Sequence, residues 1–179
     1  MFKKIVDVGN QIQLTKSDIK DMKKGMTKAY PLLEEFIEDI VPKKAVLYGM
    51  RLKSNDKAEL YIMEGNIICF KRNKDFYPTM WLLLQYPHIM PKYQVDKGAI
   101  RFVLAGANIM CPGLTSKGGN MEDVEAGAAV AIYAEGKDIP IGIGQTTMST
   151  KEIREINKDI GVNNLHYIGD DLWRLEVTQ

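Results

Sequence analysis

Cysteine is scarce in this chain: Cys69 and Cys111 are the only two among 179 residues. Two thiols cannot close a tetrahedral zinc site alone, and the two histidines, His88 and His166, lie far away in sequence. No metal and no disulfide framework is implied, and a reducing compartment is expected. Long apolar runs are missing too. None approaches the roughly eighteen continuous residues of a membrane span. The opening "MFKKIVDVGN" carries Lys3 and Lys4 but lacks the apolar core of a secretion signal. A cytoplasmic location without membrane contact is the expectation. An excess of one charge is also lacking, since 24 Lys and Arg face 23 Asp and Glu for a net charge of +1. A strongly basic chain would point to nucleic acid at once; a near-neutral one makes the position of each cation decisive. Phosphate loops are absent as well. "GLTSKGG" and "GQTTMST" hold glycines and hydroxyls but not the GxxxxGK[ST] arrangement, and "GIGQTT" is no dinucleotide fingerprint. No cofactor is expected.

What remains is ordinary globular material, 45% hydrophobic and 26% charged, long enough for one average domain or two small ones. Residues 17–30 read as a helix capped by Ser17, with Ile19, Met22, Met26 and Ala29 at three- and four-residue steps. Lys20, Lys23, Lys24 and Lys28 occupy its other face. Pro31 opens a second helix with Leu32, Leu33, Phe36, Ile37 and Ile40 as its stripe. "AVLYGMRL" and "KAELYIM" are strand-like, and "EGN" turns the chain into a third strand, "IICFKR". Pro78 opens a short helix, "PTMWLLLQY", which Pro87 stops. The two prolines of "PHIMPKYQVDKG" mark a junction near Pro91, dividing the chain into an α+β domain at 1–91 and a second domain at 92–179.

In the second half, Asp96 caps a helix reaching Ala105, with Ile100, Val103 and Leu104 inward and Gly106 as its terminating glycine. Lys97 and Arg101, four apart, share the outer face. "NIMC" is a strand end, "TSKGGN" a flexible loop, and "GAAVAIYAE" and "IPIGIGQTTM" are strands joined by a turn at residues 136–138. Ser149 and Glu152 form a capping box for a helix with Ile153, Ile156 and Ile160 inward, stopped by Gly161. "HYIGDDLWRLEV" is a final hairpin or bent strand. This half is therefore a small β-structure with two short helices.

Catalysis is not expected. A nucleophilic cysteine needs a depressed pKa and a nearby base. "IMCP" offers no local histidine and reads as a buried strand end, and Cys69 has the same reading. The acidic pairs Glu122–Asp123 and Asp170–Asp171 read as solvated turns. The cations are more informative. Arg51, Lys53 and Lys57 surround one hairpin turn; Lys71, Arg72 and Lys74 follow a strand beside Phe76 and Tyr77; Lys92, Lys97, Arg101 and Lys117 gather around the Gly98–Gly106 segment. Cations on loops beside aromatics suit phosphate contact with some base stacking. Solvated surface charge explains each lysine singly.

The segment "VDKGAIRFVLAGANIMCPGLTS" resembles the core of the PUA domain (pseudouridine synthase and archaeosine transglycosylase), in the version carried by the malignant T-cell-amplified sequence family. The pattern DKGAI is matched at Asp96 to Ile100, and V-L-x-G-A-N-x-M-x-P-G-L at Val103 to Leu114. "MFKK", "FYPTMWLL", "AEGK" and "HYIGDDLW" extend the likeness, in order, over nearly the whole chain. The resemblance implies a mixed-strand pseudo-barrel with short helices behind an N-terminal α/β domain. It implies RNA binding by the first helix, the following glycine-bearing loop and nearby strand edges. Lys97 and Arg101 would then contact phosphate, with Gly98 and Gly106 allowing close backbone approach. Lys92, Lys117, Arg51, Lys53, Lys71, Arg72 and Lys74 are secondary candidates. The resemblance also implies a role in translation on the small ribosomal subunit, in re-initiation, tRNA release and non-standard initiation. The implied partner is a density-regulated-type protein with an SUI1 domain, which would carry the zinc; tRNA is a further possible ligand. Phe102 is the candidate partner contact, although core burial explains it equally. The alternative is an accessory or targeting module for RNA modification.

Overall fold

The structure, a computed structural model, describes residues 2, 4–5, 7–53 and 58–177. The first helix, α1 (Lys16–Ala29), is capped two positions earlier than Ser17, at Thr15, and by a stronger device. Thr15 Oγ1 accepts from the Asp18 amide while the Asp18 carboxylate accepts from the Thr15 amide at 2.9 Å, a reciprocal box that leaves Ser17 inside the first turn. Met22 and Met26 are buried, and Tyr30 instead of Ala29 completes the inward face. The expected second helix breaks into a 3₁₀ turn at Pro31–Leu33 and α2 (Ile37–Ile40). Leu33, Glu34 and Phe36 each bond three residues back, so no α-helical ring closes until the Ile40 amide reaches Phe36. Leu32 is consequently exposed.

A five-stranded antiparallel meander follows the order β1 (Ile12–Gln13), β2 (Leu47–Arg51), β3 (Glu59–Met63), β4 (Asn66–Arg72), β5 (Asp75–Pro78). Glu64 and Gly65 both have positive φ, 50° and 76°, as a two-residue hairpin between twisted strands demands. β5 falls where the sequence suggested only a lead into the next helix. Asn73 in the left-handed region reverses the chain so that Phe76 and Tyr77 pair with Lys71 and Phe70. Pro78 therefore ends a strand, and Thr79 precedes α3 (Met80–Gln85). The α1 helix lies directly on β5: a methyl group at Gly25 would sit 2.4 Å from the Phe76 ring.

From Lys92 the chain builds a second, six-stranded sheet. Its strands are β6 (Lys92–Val95), β7 (Ile109–Met110), β8 (Asn120–Met121), β9 (Ala129–Ala134), β10 (Pro140–Thr146) and β11 (Ile160–Tyr167), in the order β7-β11-β10-β9-β6-β8. β6 and β9 run parallel, and the other pairings among the described residues of this sheet are antiparallel. Register shifts at Ile143/Gly144, Pro140/Gly142 and Ile160/Val162 curl the sheet into a half-barrel around Tyr93, Val95, Val130, Ile132 and Val162. Among the described residues four short helices accompany it, not two: α4 (Lys97–Val103), α5 (Pro112–Thr115), α6 (Thr150–Ile156) and α7 (Asp171–Arg174). The expected capping box at Ser149 and Glu152 opens α6, but Asn157 in the left-handed region ends it. Gly161 belongs to β11, and of Ile153, Ile156 and Ile160 only Ile153 is buried. In α4, Leu104 is exposed while Val103 is buried. The final segment is no hairpin. Asp170, far from being a solvated turn acid, is buried, and its carboxylate accepts from the Trp173 amide at 2.8 Å to start α7.

The two sheets share packed seams. Leu82, Leu83, Ile89 and Met90 join Ala131, Tyr133 and Ile143 in one cluster, and Phe2 and Phe70 meet Leu165 and Leu172 in another. Cys69 and Cys111 are both buried, and burial pushes both thiols up from their ordinary range. Among the described residues no helix is long and apolar enough to cross a membrane.

Candidate nucleic-acid interface

The site is organised by Asp96. Its Oδ1 accepts from the Ala99 amide at 2.8 Å and fixes the start of α4. Its Oδ2 accepts from Ser116 Oγ at 2.6 Å and ties the loop after α5 to the same point. Because β6 runs parallel to β9 with Val95 opposite Ala134, Glu135 arrives just beyond the end of β6. Its carboxylate takes the Lys97 amide at 3.0 Å and lies close against Gly118. Gln94 Nε2 holds the Gly118 carbonyl at 2.8 Å. Lys97 and Arg101 on α4, and Lys117 on the loop, thus gather at one end of the half-barrel, all exposed.

Gly98 lies exposed between the two α4 cations, and a Cβ there would meet only the Asp96 carboxylate, at 3.2 Å. Gly106 is placed differently. It is buried with φ of 77°. Its amide bonds Val103 O, and the Ala107 amide bonds Phe102 O. That pair of bonds is a Schellman termination, so Gly106 turns the chain inside the fold and offers no surface. Phe102 is 52% exposed, which removes core burial as its explanation. The Arg101 guanidinium lies 4.7 Å from its ring centroid. Beside it, Ala99, Met110, Pro112 and Gly113 help line a groove of about 570 Å³.

The other cations do not join this group. Lys92 and Lys97 stand at opposite ends of β6; Lys92 Nζ lies 4.3 Å over the Tyr133 ring. Arg51 and Lys71 flank Glu59 across β2, β3 and β4, with Arg51 Nε 3.8 Å from the Glu59 carboxylate. Lys71 Nζ sits 5.2 Å over Phe76. Lys53 pairs with Asp7 at 3.5 Å, and Arg72 stands opposite Asp75. Lys57 lies outside the described residues. Lys74 faces a different feature, a cleft of about 800 Å³ between the two sheets, which Lys28, Tyr30 and His88 also line. Sequence reasoning treated Lys28 as part of a solvated helix face and gave His88 no role; only the packing of the two halves brings them together.

Comparison with known proteins agrees with this architecture. The model of the Pre-PUA-like domain matches residues 2–87, and that of the PUA domain residues 91–168. Malignant T-cell-amplified sequence 1-B of Xenopus laevis is 44% identical over 180 residues, covering 98% of each chain. Translation machinery-associated protein 20 of Schizosaccharomyces pombe is 41% identical over 94% of this chain and 93% of its own. Among solved structures, a hypothetical protein of Pyrococcus horikoshii superposes with a TM-score of 0.72 at 23% identity, over 94% of this chain and 100% of the other. At that identity the likeness is one of fold. Full-length coverage at more than 40% identity, with both domains in order, shows that this chain belongs to the malignant T-cell-amplified sequence family.

Proposed function

We propose that this protein is a non-catalytic, cytoplasmic RNA-binding factor of the translation machinery. On this reading it acts on the small ribosomal subunit, in re-initiation, tRNA release and non-standard initiation, together with a density-regulated-type partner bearing an SUI1 domain. The observation that carries the reading is the exposed Lys97–Arg101 pair on α4 with Lys117 beside it, held at one end of the half-barrel by Asp96 and Glu135. The PUA match and the name of the fission-yeast relative, translation machinery-associated protein 20, support it. Phosphate contact suits solvent-facing cations on an anchored backbone; all three are exposed, and hydrogen bonds hold the backbone at Lys97 and at Gly118. The groove beside Phe102 is the apolar counterpart suited to a protein partner.

The test is the double variant Lys97→Glu with Arg101→Glu, measured by co-sedimentation with small ribosomal subunits across a salt series. Both side chains are exposed, so the fold should persist, checked by circular dichroism. Subunit binding should weaken, and each lost phosphate contact should reduce the log–log salt slope by about 0.7 to 0.9. Unchanged subunit binding in a folded double variant would overturn the site assignment. Recovery of an RNA-modification enzyme in place of subunits would overturn the translation reading.

A further inference from the structure

The chain's two tryptophans, Trp81 and Trp173, line one pocket of about 210 Å³ on the seam between the two sheets. Trp81 comes from the first turn of α3 and Trp173 from α7; they are 37% and 42% exposed. His166, at the end of β11, also lines the pocket, yet its side chain is only 1% exposed. The imidazole is gripped from behind. Its Nδ1 lies 2.8 Å from Asp170 Oδ2, and the rings of Phe2 and Phe70 pack edge-on at 5.9 and 6.2 Å. The Asp170 carboxylate also accepts from the Tyr167 and Trp173 amides. A carboxylate has only acceptors to present, so Nδ1 carries a proton, and in the neutral imidazole Nε2 presents the lone pair. Among the described residues none takes up Nε2. Thr79, the other buried polar side chain of the pocket wall, donates to Ile67 O at 2.5 Å instead.

We propose that this pocket receives an arginine side chain of a partner polypeptide, its guanidinium stacked on the Trp81 and Trp173 indoles and donating an N–H to His166 Nε2. The acceptor requires a hydrogen-bond donor. Indole faces attract cations, and a planar guanidinium stacks on them. Charged sequence neighbours of the lining residues lean acidic, three carboxylates against the one guanidinium of Arg174. Among the described residues no Lys or Arg lines the pocket, and Glu64, Asp171 and Glu176 adjoin lining residues in sequence. The neighbouring cation, Arg174, turns its head group toward Gly169. The volume also lies below the roughly 300–1,000 Å³ of sites for whole small ligands, and it suits one planar group. Phosphate-bearing ligands find no cation among the described residues of the pocket wall. The proposal does not depend on the RNA reading of α4.

The experiment is an NMR titration of the isotope-labelled full chain with Nα-acetyl-arginine amide, the matching citrulline amide and cytidine monophosphate. The arginine compound should shift both tryptophan indole N–H signals saturably. Citrulline, planar but uncharged, should bind at least about fivefold more weakly. Trp173→Ala, an exposed position whose loss leaves the core intact, should weaken the arginine response by a similar factor. His166→Gln tests the acceptor if it folds; the tryptophan variant decides the matter if it does not. Equal response to citrulline, a response to the nucleotide alone, or no saturable shift would each overturn the proposal.

Discussion

Asn164 Nδ2 donates to the carbonyl oxygen of Val103 at 3.0 Å, from the middle of β11 to the last turn of α4. The same amide group reaches Ala107 O at 3.1 Å, and the Asn164 backbone N–H is taken by Asn108 Oδ1 at 3.0 Å. A residue some sixty positions away thus clamps the end of the helix that carries Lys97 and Arg101. The contact is buried, where an amide bonded to two carbonyls replaces the water they would otherwise need. Asn164→Ala should therefore destabilise the protein by about 1–3 kcal/mol. Amide hydrogen exchange in α4 should accelerate more than in β9. Uniform acceleration would show that Asn164 supports the whole fold and not α4 in particular.

Gly25 supplies a prediction whose sign runs against helix propensity. In an exposed helix interior, Gly→Ala gains roughly 1 kcal/mol. Here the new methyl would meet Cδ2 and Cε2 of Phe76 at 2.4 Å, and Phe76 is itself braced by Tyr61 at 5.6 Å and Lys71 at 5.2 Å. Gly25→Ala should be net destabilising, by about 1–3 kcal/mol once overpacking outweighs propensity. A raised denaturation midpoint would mean that the ring slides aside freely.

These two contacts show what the sequence could and could not disclose. The Asp96 cap, the Ser149–Glu152 box and the Glu64–Gly65 turn were legible because each needs only residues within a few positions. Lys97 and Arg101 were legible as a pair for the same reason. Lys92 reads as their neighbour in sequence, yet it opens β6 while Lys97 lies beyond that strand's far end, and each strand residue adds about 3.3 Å. Lys117 does approach Lys97, but through Glu135, and that requires the parallel pairing of β6 with β9, which no local pattern records. Asp170 read as a surface acid because nothing in its neighbourhood announces that Phe2 and Phe70 will enclose His166 beside it.

Phe102 separates surface function from core packing. A residue 52% exposed has little apolar contact to lose on truncation, so Phe102→Ala should change stability by less than about 0.5 kcal/mol. If the groove beside it is the partner surface, the same variant should weaken binding of a density-regulated-type partner by about 2 kcal/mol or more, the scale of an aromatic hot spot. Calorimetry with the purified partner decides it. Unchanged affinity would move the interface elsewhere while leaving the α4 cations in place.

The α6 capping box gives a pH dependence of definite sign. The Ser149 backbone N–H, and then its hydroxyl, bond the Glu152 carboxylate at 2.8 Å and hold its pKa below the ordinary glutamate value. The bonds favour the ionised form in the folded state, so the stabilisation is fully present above the unfolded-state pKa. It is lost as pH falls through the depressed folded value. Glu152→Gln should therefore lower the denaturation midpoint at pH 7 relative to the unsubstituted protein, with the gap narrowing toward pH 3. The Asp18 carboxylate at the head of α1 is lowered in the same direction, by the Thr15 hydroxyl first and the Thr15 amide second. Asp18→Asn should show the same narrowing. A gap that stays constant from pH 7 to pH 3 would show that the boxes act through neutral hydrogen bonds and not through carboxylate charge.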